Sequence, residues 1–484
     1  MTLVWHILRK DLRHTRIFAA ASAILLLVFA AKSYYSFASR PHLLRFLLPT
    51  HFLFEIALIS AWALFCGVLL HAEALPGPRP YWLTRPMRWE DLLRAKCLLL
   101  FAVVAAPVSI VHIWLVVLHG FPLLQNLGAI VWNALLLGTV YMLQAAVVAS
   151  ITRNLQQMIL WILGISTVTL ALRQAYWWHE QQLQWVPDAV TVAITVTAGT
   201  AILIWQYASR RTLAGRIVAI LYFCVLATVD FWPVQGWYAV QRAMSPTHVE
   251  DDVARLNVDQ SLLTWHRFRT AEDRTMSSTL TIPLRIDGLP NQWSVELNGF
   301  SRLRVTAGGE TVSDAVISTP AQLHGEGLER SIELAISPKF ADSHAQRPVD
   351  ISIAAELSIY GPAEQFQMGV DETATIPGLG RCQSPAAEVL IIFCESVFEV
   401  RSRVVGRWAI QAEEREAIIV LTQAESRSPI RLVPSLYPIS FSRGGFGARS
   451  NFRNGRILIS LRKPVAHVQR RIELRGIRLA DIMR

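Results

Sequence analysis

Charge is scarce in this sequence. Only 17% of its 484 residues are Asp, Glu, Lys or Arg while 52% are hydrophobic, a balance too apolar for an ordinary soluble enzyme. No G-x-x-x-x-G-K-[ST] phosphate loop occurs. The glycine cluster at 443–450, RGGFGARS, lacks both the lysine and the spacing that would cradle a triphosphate, so it reads as a turn or strand connection. Neither H-E-x-x-H nor G-x-S-x-G appears, and no isolated carboxylate pair stands in a recognisable context, so no catalytic residue is assigned. No His or further Cys stands at ligand spacing around any cysteine, so neither a metal site nor another cofactor is expected. The first apolar run also lacks a small-residue cleavage site, and a long basic stretch precedes it, unlike a typical signal peptide.

What the chain has instead is long apolar runs. Seven can be marked, at about 17–35, 50–71, 97–119, 127–150, 157–172, 188–207 and 213–232, each long enough or nearly so to cross roughly 30 Å of hydrocarbon as a helix. The fifth is the shortest and reads also as a re-entrant segment. Residues 1–242 hold 18 Lys and Arg against 8 Asp and Glu, whereas residues 243–484 hold 28 of each, so the whole excess lies in the apolar half. The basic residues fall mostly in alternate connections. With the N-terminus inside, the inner segments carry Arg9, Lys10, Arg13, Arg16, Arg79, Arg85, Arg88, Arg94, Lys96, Arg153, Arg210, Arg211 and Arg216, and the outer ones only Lys32, Arg40, Arg45 and Arg173. That bias predicts a cytoplasmic N-terminus and, after seven crossings of an inner membrane, a C-terminal half outside. The neutral balance of that half argues against nucleic acid as a partner.

The expected fold is a polytopic α-helical membrane bundle of about seven spans followed by a mainly β, sandwich-like soluble region. Residues 1–16, with Leu3, Val4, Trp5, Ile7, Leu8 and Leu12 toward one side, fit an amphipathic helix lying in the inner interface, or else a basic flank of the first span. The permease-like bundle occupies 17–232 and a charged connector 233–275. Residues 276–484 show alternating apolar patterns between Gly, Pro, Asn and Ser turns, as in VDISIAAELSIY at 349–360, which predicts one large or two small antiparallel sandwiches, divided near Pro377.

The least regular stretch of the membrane half is LPGPRPYWLTRPMRWEDLLRAK at 75–96. Pro76, Pro78, Pro80 and Pro86 exclude helix until about Glu90, after which a short helix can run into the third span. A plain solvated connector needs none of Tyr81, Trp82 and Trp89. Beside Arg85 and Arg88 these aromatics suit a partner surface with a charged rim, or an anchor at the headgroup level.

The order Glu73, Gly77, Tyr81, Trp82, Leu83, Thr84, Arg85, Pro86, then Leu92, Leu93, Ala95 and Lys96 resembles the cytoplasmic segment between the second and third spans of type 2 ABC exporter permeases. The basic N-terminal segment is similar to that family's elbow helix. The resemblance covers about residues 1–207, and the seventh run and the C-terminal region depart from a family that usually has six spans. It implies that 73–96 is a coupling segment docking into a cleft on a separate ABC-type ATPase subunit, with Glu73, Gly77, Tyr81, Trp82, Arg85, Pro86, Arg88 and Lys96 at the contact. It also implies a homodimer or paired permeases in the lipid bilayer.

Polar residues inside apolar runs are costly and usually face protein or water. At regular helical spacing Asn133, Tyr141 and Gln144 share about one face of the fourth run and either line a path or bond between helices. His112 reads as a satisfied core histidine. Trp177, Trp178 and Trp185 suit an outer aromatic belt or, by the resemblance, a gate. Cys66, Cys97 and Cys224 fall in or at the ends of spans. Cys382 and Cys394 share the region placed outside, where they can form a bridge or remain two buried thiols. Two functions remain open: a transport subunit driven by an ATPase, or a receptor or anchor presenting the β region.

Overall fold

The computed structural model describes residues 2–38, 44–72, 88–176, 185–209, 212–229, 234–245, 247, 249–250, 253–269, 276–307, 310–313, 321–324, 330–336, 338–369, 372–377, 379–383, 389–398, 405–412, 415–419, 434–449 and 456–482. Helix α1 is Thr2–Ala38 and α2 is Leu44–His71. Helices α3, Trp89–Leu118, and α4, Leu123–Ile151, come next, then α5, Leu155–Tyr176, and α6, Val186–Ser209. Helix α7, Thr212–Thr228, and the short α8, Val234–Ala243, complete the described helices of this half.

Among the described residues, five helices are long and apolar enough to cross a membrane: α3, α4, α6, and the stretches Val4–Ser33 of α1 and Leu53–His71 of α2. Each of the seven expected runs falls on a helix over most of its described part, but the apolar parts of α5 and α7, Leu155–Ala171 and Leu213–Thr228, are shorter. The first boundary differs from expectation. No proline or glycine stands between residues 2 and 38, so nothing breaks the backbone at residue 16 and the basic segment continues as one helix with the first span. Ile7, Asp11 and Thr15 form one face of this segment and are buried against the bundle.

Three of these helices contain a widened π turn, at Phe101–Ala105 in α3, Leu137–Met142 in α4 and Thr195–Gly199 in α6. The first precedes Pro107, which has no N–H to give to the turn before it. Gly120, at φ +74°, turns the chain out of α3 where a side chain would be strained.

The helices run back and forth between two ends. At one end Ile7 of α1, Leu70 of α2, Leu92 of α3, Ile151 of α4, Met158 of α5 and Tyr207 of α6 share a core. At the other, Phe29 of α1 and Leu115 of α3 pack in a cluster that includes Leu436, far along the β region. The β region therefore meets the bundle at the end opposite the flanks of loop 73–87.

The described strands of that region form four sheets. Strands β1 (Arg255–Val258), β2 (Thr264–Arg269), β3 (Met276–Asp287) and β7 (Arg330–Ile336) form one. A five-stranded sheet runs β17–β8–β4–β5 with β6 on β4, from β4 (Ser294–Ala307), β5 (Glu310–Ser313), β6 (Ala321–His324), β8 (Pro348–Tyr360) and β17 (Pro464–Arg478). Buried side chains of both, such as Trp265 and Ile282 from the first and Val295, Ile353 and Leu357 from the second, form one core. The alternation in β8 explains this: Ile351, Ile353, Ala355, Leu357 and Ile359 all point to that core.

The remaining sheets are inserted between β8 and β17. One is β9 (Glu364–Gly369), β13 (Val405–Ala412), β14 (Arg415–Ile419) and β16 (Arg456–Arg462); the other is β10 (Thr373–Ile376), β11 (Gly380–Gln383), β12 (Val389–Val397) and β15 (Ile439–Arg449). The second group therefore begins just after Tyr360 rather than near Pro377, because β17 returns to pair with β8. Cys382 and Cys394 face each other across β11 and β12 and are joined as a disulfide. Gly380 sits at φ +94° with the Glu395 carbonyl crowding the place where a Cβ would stand, a position no other residue fills without moving the strand.

Candidate functional site

Helix α3 connects the two ends of the bundle and carries the chemistry of both. At its start Arg88 is exposed and extended, immediately after the proline-rich loop. Two turns on, Lys96 is 1% exposed. Its ammonium donates to Asp11 Oδ2 of α1 at 2.7 Å and to the Leu69 carbonyl of α2 at 2.9 Å. An uncompensated charge at that depth would cost several kcal/mol, by order of magnitude, so the pair acts as a fixed tie among three helices. Nearby, His71 of α2 bonds the Thr152 hydroxyl at 3.0 Å, and Arg216 of α7 donates to the Ile151 carbonyl at 3.1 Å.

Lys96 is thus a correction to the expected docking contact: it is sealed inside the bundle and positions the helix, whereas Arg88 is at the surface. Glu73, Gly77, Tyr81, Trp82, Arg85 and Pro86 lie outside the described residues.

At the far end, a short segment of the β region, Pro434 to Pro438, enters between helices. Leu436 is 3% exposed and packs with Phe29, Trp62, Val108 and Leu115. Its neighbours bring backbone polar groups into an apolar setting, and side chains of the helices satisfy them. The Asn133 amide donates to the Ser435 carbonyl at 2.8 Å while its oxygen accepts from the Ser435 N–H at 2.9 Å. His112 Nε2 stands 2.8 Å from the Leu436 carbonyl, which can only accept, so the ring proton is on Nε2. Tyr437 packs on Phe29 and Phe398 meets His112 edge-on. Phe398 adopts φ +34°, unusual for a bulky residue, and its N–H donates to the Pro438 carbonyl at 2.6 Å. Arg381 completes the junction by donating to the His119 carbonyl at 2.9 Å and to Glu395 at 2.5 Å.

Of the residues expected to line a path, Asn133 is fully buried in this clasp and Gln144 donates to Thr195 of α6 at 3.4 Å. Tyr141 is half-buried beside the Leu436 cluster. The π turn Leu137–Met142 separates Asn133 from Gln144, and one added residue rotates the rest of the helix by about 100°, so regular spacing misjudges their common face. Trp177 and Trp178 lie outside the described residues. Sequence reasoning missed Asp11, which reads as part of a surface helix, and the Ser435–Tyr437 segment. The signal for the latter is VPSLYP, where two prolines hold a Leu-Tyr pair in extended chain.

A third joint links α8 to the five-stranded sheet: Arg242 donates to Glu356 at 2.6 Å, and Gln469 donates to the same oxygen at 2.7 Å. Comparison with protein-family models, with curated proteins and with solved structures returned no match.

Partial burial holds the His119 pKa below the usual histidine value; the Glu395 carboxylate opposes this and Arg381 reinforces it. A lowered folded pKa means the unfolded chain binds the extra proton first. Its contribution to stability is present above about pH 6.5 and is lost as pH falls through the folded value. The thermal midpoint in detergent is expected to drop less between about pH 7.5 and pH 5.5 in His119→Gln than in the unaltered protein. Equal drops would remove His119 from the pH response.

Proposed function

We propose that this chain is the membrane subunit of an ATP-driven transporter of the type 2 exporter kind, coupled to a separate ATPase through residues 73–96. The observation that carries this reading is the course of α3. It starts at the flank of the loop, is tied by Lys96 to Asp11 and Leu69, and at His112 holds the β region. One helix, with the π turn Phe101–Ala105 part-way along it, therefore joins the flank of the loop to the opposite end of the molecule, and a movement at that flank reaches the far end without crossing another connection. ATP hydrolysis belongs to the partner subunit. Seven spans, an inside N-terminus, an outside β region built as two sandwiches, and a pair of permeases in an inner membrane complete the proposal; the positive-inside bias and the position of the β region at the end opposite the flanks of 73–87 support it.

The sealed contact at Leu436 favours a second reading, a receptor or anchor in which the bundle holds the β region without transporting. A mild-detergent pull-down separates the two. An ATPase is expected to co-purify with the unaltered chain and to be lost, by about tenfold in recovered subunit, when Trp82→Ala is combined with Arg85→Glu, since anchors of this aromatic and arginine type dominate docking surfaces. Retention of the ATPase by the variant would remove the loop from the docking role, and its absence from both samples would leave the anchor as the better reading.

A further inference from the structure

We propose that residues 434–438 form a releasable plug in the bundle, and that α3 sets whether it is seated. The regulation by an ATPase rests on the transporter reading above; the release itself does not.

Backbone polar groups buried among apolar helices need partners, and a sheet would supply them through its own ladder. Here Ser435 and Leu436 rely on two side chains, Asn133 and His112, for three bonds. Such bonds can break and reform without unravelling a strand or a helix. Within 434–438 the apolar contact is Leu436 in the helix cluster with Tyr437 partly buried beside it, while Ile439 and Phe398 sit in a separate cluster with Val116 and Ile130 that holds the rest of the β region in place. The seat is also strained. Phe398 rests against His112 in a left-handed conformation that bulky residues avoid, and its N–H holds Pro438. Withdrawal of the plug frees Phe398 to relax.

Helix α3 holds the means of moving His112. Lys96 pins the part before the π turn Phe101–Ala105, and His112 lies after it. A π turn holds one residue more than an α turn, so closing it turns the rest of the helix by about 100°, and moving it past His112 turns the stretch that carries His112 by the same angle. Such a turn swings His112 off the Leu436 carbonyl while Lys96 stays in place. The two anchors on one helix, with a deformable turn between them, constitute a two-position device.

The test uses the full-length protein in detergent, with Cys66, Cys97 and Cys224 replaced by Ala and the Cys382–Cys394 bridge left intact. Leu436→Cys is then labelled with a maleimide, with Ser261→Cys as the exposed reference and the core position Leu297→Cys as the check on folding. Labelling at 436 is expected to be slow, to rise about tenfold or more with Asn133→Leu, as loss of two buried hydrogen bonds implies, and to rise similarly with His112→Phe. The paired change Asp11→Asn with Lys96→Met, which leaves no unpaired charge, is expected to alter the rate several-fold from the other end of the helix. Position 297 should stay slow throughout. If labelling at 436 tracks that at 297 in every background, the segment is a fixed anchor and the proposal fails. If the variants act as expected but ATP and a co-purified ATPase leave the rate unchanged, the plug stands and the transporter reading is the one that falls.

Discussion

Replacing Lys96 with methionine is expected to destabilise the bundle by about 3–5 kcal/mol, the usual consequence of leaving a buried charge without its partner. Asp11 is 2% exposed, and Lys96 is the cation on its Oδ2. Water cannot reach the orphaned carboxylate without opening the contacts among α1, α2 and α3. The companion variant makes the prediction specific. With Asp11→Asn added, the charge is gone as well, and a neutral pair of nearly the same volume should recover most of the loss. Heating the detergent-solubilised proteins and following the loss of the monodisperse species compares the three. Equal midpoints for Lys96→Met and the unaltered chain would mean that the pair is hydrated and ties nothing. Because Lys96 stands so close after the proposed coupling loop, the same variant should also blunt any response of the far end to an ATPase while leaving docking itself in place.

The second large effect is expected at the joint between α8 and the β region. Arg242→Ala takes the cation from the Glu356 carboxylate, 3% exposed, and leaves it the neutral Gln469 amide as a donor. The cost is about 3 kcal/mol, at the low end for a buried pair because Arg242 is itself 29% exposed. Substituting Glu356→Gln in that background removes the stranded charge and should restore most of the stability. Limited proteolysis is the sensitive readout, since α8 seats Tyr238 beside Val186 of α6 and the connector after it lies along β17. Accelerated cleavage between 244 and 253 in Arg242→Ala, reversed in the double variant, is the expected pattern. Cleavage unchanged in both would show that the polar face of the sheet is held by other contacts.

Much of the fold is legible from local pattern. The apolar runs are helices because a chain in hydrocarbon must satisfy its own backbone, and composition locates the runs themselves, although the helices of the first and third begin well before them. Strand β8 is legible from its alternation. The same alternation misleads about its other face: Ser352, Glu356 and Ser358 read as facing solvent, yet Glu356 is buried against Arg242 of α8 and Ser358 against His467 of β17. At the N-terminus the error is of the same kind: the basic residues of 1–16 suggest a surface helix, while the absence of any breaker keeps α1 continuous and Asp11 is buried.

The candidate site divides in the same way. By itself the sequence determined that the molecule has an apolar helical half and a β half, that the stretch before α3 is rich in proline and aromatic residues, and that Asn133 and His112 are polar groups in apolar runs with something to satisfy. Each follows from a property of neighbouring residues: hydropathy, proline geometry, or the cost of a polar atom in an apolar run. Only the tertiary structure decided what satisfies them. Asn133 meets Ser435 across 302 positions and His112 meets Leu436 across 324, while Lys96 reaches back to Asp11. Periodicity states which side of an element is apolar, but not which distant segment will fill it. That choice is made by packing, when β17 closes on β8 and the inserted sheets bring Leu436 to the end of the bundle where helix side chains can receive its backbone.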